Sequence, residues 1–110
     1  MVEESVLNSI RNYIAAVEAS GLTVEKTVVF GSQVSGNPGK WSDIDLVVVS
    51  PAFDAMTDRT NINLLWRLAA KIDNRIEPIP CGVKQWIEDD SSAIIEIARR
   101  HGEVVAAKSG

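Results

Sequence analysis

Residues 26–49 read KTVVFGSQVSGNPGKWSDIDLVVV, and the reading of this stretch decides the fold. Lys26 to Phe30 is rich in β-branched residues and predicts a short strand buried on both faces. It stops at Gly31-Ser32, and Gly36, Asn37, Pro38 and Gly39 predict a loop. Asp43 to Val49 predicts a second strand, closed by Ser50-Pro51. Side chains alternate across a strand, so the carboxylates of Asp43 and Asp45 leave one face. Ile44 and Leu46 point the other way, into apolar surroundings.

Outward from this stretch, helix and strand signals alternate. Residues 3–19 place Val6, Ile10, Tyr13, Ile14 and Val17 at helical spacing, and Gly21 supplies a C-terminal cap. A second helix is predicted from about Asp58 to Lys71, burying Ile62, Leu65, Trp66, Ala69 and Ile72. Arg75 to Ile79 predicts a third strand. Pro78 has no N–H to donate, so this strand should lie at an edge or end its pairing there. A last helix begins near Asp90 or Ser91, carries Ile94, Ile97 and Ala98, and ends near Gly102, and residues 103–106 add a short strand. Alternating elements imply an α/β (α+β) class, a small mixed β-sheet flanked by helices.

The composition narrows the function classes. At 110 residues the chain fits one domain, spanning 1–110, and 45% hydrophobic with 24% charged residues excludes disorder and coiled coil. No apolar run is long enough to cross a bilayer. The first residues, MVEESVLNSIRNYI, lack the basic and apolar segments of a signal peptide, and the lone Cys81 has no partner for an internal disulfide. A reducing cytoplasm is the expected compartment. Eleven basic against fifteen acidic residues leave a net charge of −4, which argues against a duplex nucleic-acid binder.

Three features of the central stretch make one chemical sense. Two neighbouring carboxylates repel unless a positive charge sits between them, and hard oxygen ligands suit Mg²⁺. Gly31-Ser32, at a strand-to-helix turn, offers backbone N–H groups and a hydroxyl to a phosphate, with no Cβ in the way. Glu77, in the third predicted strand, adds a third carboxylate, enough to hold two ions about 3.5–4 Å apart. A phosphate cradle beside such a centre is suited to phosphoryl or nucleotidyl transfer.

Gly31-Ser32, ten residues, then Asp43-x-Asp45 resembles the signature of the DNA polymerase β-like nucleotidyltransferase superfamily. The wording Ser42-Asp43-Ile44-Asp45-Leu46 and the glycine at Gly36 resemble its minimal nucleotidyltransferase (MNT) branch. The resemblance covers nearly the whole chain and implies the family's compact core. It implies Asp43, Asp45 and Glu77 as catalytic and metal-binding residues, with Gly31 and Ser32 on the nucleotide phosphates. The family often has Asp where Glu77 stands, and Asp73 is the competing third carboxylate, in poorer register. The resemblance further implies Mg²⁺, as two ions, ATP as donor, and a HEPN-domain protein as partner. In that arrangement the transferase is the antitoxin of a toxin–antitoxin pair and adenylylates a tyrosine of the toxin. Small-molecule acceptors such as aminoglycosides are the enzymatic alternative, and neutralisation by contact alone, or ATP sensing, are the non-catalytic ones.

Other residues have structural readings. His101 stands at a helix end, where it interacts with the last carbonyls. Cys81 is a small buried hydrophobe. Trp66 lies on an apolar helix stripe and is expected in the core, and packing is also the expectation for Trp41, beside the acidic pair. Arg67, Lys71, Arg75, Arg99 and Arg100 are expected as solvated charges at helix faces and strand ends, one of them a candidate triphosphate contact.

Overall fold

The computed structural model describes residues 2–35, 43–54, 59–88 and 92–106, and of Ser32 and Ser35 the backbone alone. Helix α1 (Glu4–Ala19) leads into strand β1 (Lys26–Phe30), a short helix α2 (Ser32–Ser35) and strand β2 (Ile44–Val49). A 3₁₀ turn (Pro51–Phe53), helix α3 (Thr60–Ile72) and strand β3 (Ile76–Cys81) follow. Helices α4 (Val83–Glu88) and α5 (Ala93–His101) and strand β4 (Glu103–Val105) come last among the described residues. The four strands form one mixed sheet in the order β3-β2-β1-β4, with β1 antiparallel to both β2 and β4 and β3 parallel to β2.

The sheet buries both faces, as its β-branched strands require. On one face Val29, Ile44, Leu46, Val48 and Ile76 pack against α1 and α3. α1 contributes Val6, Ile10, Tyr13, Ile14 and Val17, the five positions its periodicity predicts. The Tyr13 hydroxyl, raised in pKa by burial, donates to the Leu65 carbonyl at 2.9 Å and ties α1 to α3. Gly21 ends α1 with φ +103°, a left-handed conformation that suits glycine. On the other face Val28, Phe30, Val47, Val49 and Cys81 pack against Ile95 and Ala98 of α5, with Val83 and Trp86 of α4 alongside. Cys81 is fully buried there, as expected of a small apolar group.

The β3 edge is protected by its own sequence. The carbonyls of Arg75 and Cys81 accept from the amides of Ile44 and Ser50, so the odd-numbered residues of this segment turn their polar backbone toward β2. Pro78 and Pro80 therefore direct their nitrogens to the open side, where a missing N–H loses no ladder bond and discourages pairing with another strand. Pro78 marks an edge strand as predicted, and pairing does not stop there but runs on to Cys81.

Four further expectations need correction. Trp66 is 48% exposed and Ile72 39%, outside the core. α3 buries Leu65 and Ala69, with Leu68 against the core, and Trp66 lies about 100° around the helix from Leu65. α5 likewise buries Ile95 and Ala98, leaving Ile94 and Ile97 each 48% exposed. Its N-cap is Ser92, whose hydroxyl accepts from the Ile95 amide at 3.3 Å, whereas Asp90 and Ser91 lie outside the described residues. Finally, α4 escapes the periodicity because it is six residues long and its N-terminal partner is remote. The Asp54 carboxylate accepts from the amides of Val83 at 3.1 Å and Lys84 at 2.9 Å. His101 closes α5, as its structural reading anticipated.

Candidate active site

Asp45 stands directly across from Glu77 of β3 and from Phe30 of β1. Residues paired across a sheet share a face, so Asp45 and Glu77 project to the same side. Asp43, one residue before β2 begins, has the parity of Asp45 and joins them. Ile44 and Leu46 are fully buried on the opposite face, as the alternation predicts. The three carboxylates predicted from two separate strands are thus gathered where β2 starts.

Two of the three, Glu77 and Asp45, hold their protons more tightly than usual. The Glu77 carboxyl is pushed up to about 7, chiefly by its hydrogen bond with Asp43, then by burial and by the charges of Asp43 and Asp45. Asp45 is raised by burial and then by the charge of Asp43. Among the described residues no Lys, Arg or His pairs with the trio, since the ion pairs are Arg75 with Asp73 and Arg99 and Arg100 with Glu96. A neutral Glu77 donating to Asp43 relieves part of the repulsion in the protein alone. Among the described residues no group of three such donors stands arranged to hold a metal ion. As a donor set, three hard carboxylates fit a divalent cation, which would take the place of the proton.

The turn from β1 into α2 lies against this cluster. Gly31 has φ +79°, and a Cβ built on it would stand 2.5 Å from Oδ2 of Asp45. The Val34 amide donates to the Gly31 carbonyl at 3.1 Å, closing the helical turn that the sequence predicts after the strand. The Ser32 backbone opens α2, while its side chain, like Gly36, Trp41, Ser42 and the Asn37-Pro38-Gly39 loop, lies outside the described part.

Two residues missed in the sequence brace the trio. Gln33, 4% exposed, donates from Nε2 to the Asp43 carbonyl at 3.2 Å. Arg75, read from sequence as a solvated charge, accepts the Ile44 amide on its carbonyl at 2.8 Å. Its guanidinium donates to both carboxylate oxygens of Asp73, at 3.1 and 2.8 Å. These bonds, led by the Arg75 side chain, hold Asp73 down at about 2. Asp73 is therefore committed to Arg75, and Glu77 is the carboxylate that reaches the pair. Arg99 is also engaged, donating to the Trp86 carbonyl at 2.9 Å and to Glu96 at 2.8 Å. No sequence periodicity flags Gln33, although it lies within the motif.

An α/β fold with an acidic cluster facing a glycine turn agrees with the comparisons to known proteins. Residues 10–103 match the family described as Nucleotidyltransferase domain, and the chain belongs to that family. The fold is similar to the crystal structure of a protein from Sulfolobus solfataricus provisionally assigned as a nucleotidyltransferase. The TM-score is 0.64 at 17% identity, over 89% of this chain and 77% of that one, a likeness of fold. No curated protein matches the sequence. Among the described residues no helix is long and apolar enough to cross a membrane.

Proposed function

We propose that the chain moves a nucleoside monophosphate, AMP from ATP, to a hydroxyl acceptor on a HEPN-type protein partner, acting in the cytoplasm as the antitoxin of that pair. The observation that carries the reading is the convergence of Asp43, Asp45 and Glu77 beside the Gly31 turn, in a chain of the nucleotidyltransferase family. The choice of acceptor is supported by the closeness of the Gly31-Ser32…Asp43-Ile44-Asp45 wording to the minimal branch. A net charge of −4 also disfavours a polynucleotide acceptor.

Asp43, Asp45 and Glu77 are the residues that would hold Mg²⁺, as two ions. Bound there, the metal supplies charge neutralisation for the triphosphate and a lower pKa for the acceptor hydroxyl. The rest belongs to the chain. Glu77 would release to water the proton it shares with Asp43, freeing carboxylate oxygens on both. Gly31 lets a phosphate come close to the backbone, and Ser32 beside it offers a hydroxyl to the terminal phosphates. The rigid β2–β3 register fixes the spacing of Asp45 and Glu77, so that charge stabilisation is built before substrate arrives.

The test is incubation with α-labelled ATP, Mg²⁺ and the protein encoded by the neighbouring reading frame. Label on that partner is expected, and a stable complex without label would replace transfer with neutralisation by contact. Asp45→Asn should fold normally and label at least about a hundredfold more slowly. Labelling at the wild-type rate would overturn the mechanism.

A further inference from the structure

We propose that Gln33 is a positioning residue for Asp43, its side-chain amide fixing the peptide group from which the Asp43 carboxylate is directed. The inference rests on the transferase reading of the site and extends it to a residue outside the acidic trio.

Three polar side chains are buried among the described residues, Thr27, Gln33 and Ser50. Thr27 donates to the Val105 carbonyl at 2.9 Å and pins β4, and Ser50 accepts from the Ala52 amide at 3.2 Å and caps the 3₁₀ turn. Both hold fold elements in place away from the acidic trio. Gln33 instead reaches across ten positions of sequence to the Asp43 carbonyl. The amide of that same peptide group, on Ile44, donates to the Arg75 carbonyl at 2.8 Å. One peptide plane is therefore gripped at both ends, its C=O by Gln33 and its N–H by Arg75.

That grip matters because Asp43 precedes β2. The rotation about its Cα–C bond sets where the carboxylate points relative to Asp45 and Glu77, and holding the following peptide plane fixes that rotation. Arg75 is itself braced by Asp73, which holds the acceptor of the Ile44 amide in place, but that one bond alone leaves the peptide plane free to swing and the amide to open. The Asp43 end rests on Gln33. Partners of this kind, which hold a ligand rather than the metal, commonly change metal affinity by about 10- to 100-fold.

The experiment compares wild type with Gln33→Met, which keeps the length of the side chain and removes its donor. In the metal-free protein, amide hydrogen exchange at Ile44 should quicken about tenfold or more, while Val47 and Val48 exchange as in wild type. Mn²⁺ affinity, read by electron paramagnetic resonance without nucleotide, should fall about tenfold, and kcat should fall with KM for ATP changed less than about threefold. Gln33→Glu has the same size and, at neutral pH, an acceptor in place of the donor. It should quicken Ile44 exchange in the same way, which keeps the test decisive if Gln33→Met folds poorly. Wild-type Ile44 exchange in both variants, or undiminished Mn²⁺ affinity in Gln33→Met, overturns the role of Gln33 and leaves the transferase reading intact. A wild-type protein that binds no Mn²⁺ overturns both.

Discussion

Gly31 turns its side-chain position straight at Asp45, so that an added Cβ would meet Oδ2 of that carboxylate at 2.5 Å. The glycine is required twice over, by this approach and by its φ of +79°. A left-handed backbone alone costs a non-glycine residue about 1–2 kcal/mol, which a folded domain survives. The displacement of Asp45 is the graver effect, because a shift of about 1 Å in a reacting group can cost about a hundredfold in rate. Gly31→Ala should therefore melt several degrees lower and transfer at least about a hundredfold more slowly. Normal transfer with a lowered melting temperature would show that the glycine serves the turn alone.

The Glu77 proton makes the metal-free protein sensitive to pH. Its carboxyl titrates near 4.5 in ordinary surroundings and near 7 in the fold, so the native state binds the proton more tightly than the unfolded chain does. The stabilising share of that proton is fully present below about 4.5 and is lost as pH rises through about 7. Melting curves without metal should fall across this window in wild type and flatten in Glu77→Gln. At pH 8 the variant should melt higher than wild type. A wild-type curve flat from pH 5 to 8 would deny the coupling between Glu77 and Asp43.

Asp73 and Glu77 make opposite predictions, although both are acidic residues near the start of β3. Asp73 is held at about 2 by Arg75, against 3.8 ordinarily, so its contribution to stability is present above 3.8 and is lost as pH falls through about 2. Removing a charged hydrogen-bond partner costs about 1.5–3 kcal/mol, less where water reaches the pair. Asp73→Ala should lower the melting temperature and keep most of the transfer activity. Glu77→Ala should do the reverse, abolishing transfer with little loss of stability. Melting and single-turnover transfer on the two variants separate a structural brace from a member of the proposed catalytic trio.

Much of this was legible in the sequence, for identifiable reasons. Strand alternation fixes the faces of Asp43, Ile44, Asp45 and Leu46 whatever the rest of the chain does. The stripe of α1 is unambiguous because its apolar residues recur on one side only. α3 and α5 were harder. Ile94, Ile95 and Ile97 offer two stripes a residue apart, and only the packing of α5 on β1 selects Ile95 and Ala98. Trp66 competes in the same way with Leu65 and Leu68. The grip of Gln33 on Asp43 and the cap of Asp54 on α4 join residues 10 and 29 or more positions apart, and periodicity carries no information about such pairs.

The Asp54 cap is open to measurement. Its two oxygens accept from consecutive amides at the start of α4, and a Cβ at Gly82 would collide with the same carboxylate. α4 is six residues long, too short to persist without tertiary support, and it lays Val83 and Trp86 over the sheet face that carries Val47 and Val49. Loss of an N-cap costs about 0.5–2 kcal/mol. Asp54→Ala should therefore melt a few degrees lower and exchange the Val83 and Lys84 amides faster. The acidic trio is held at the opposite end of β2 by the β2–β3 register, the Gln33 bond and the Arg75 bond, none of which involves α4. Transfer measured below the melting transition should stay within about twofold of wild type, and a larger loss would mean that α4 supports the catalytic end of the sheet as well.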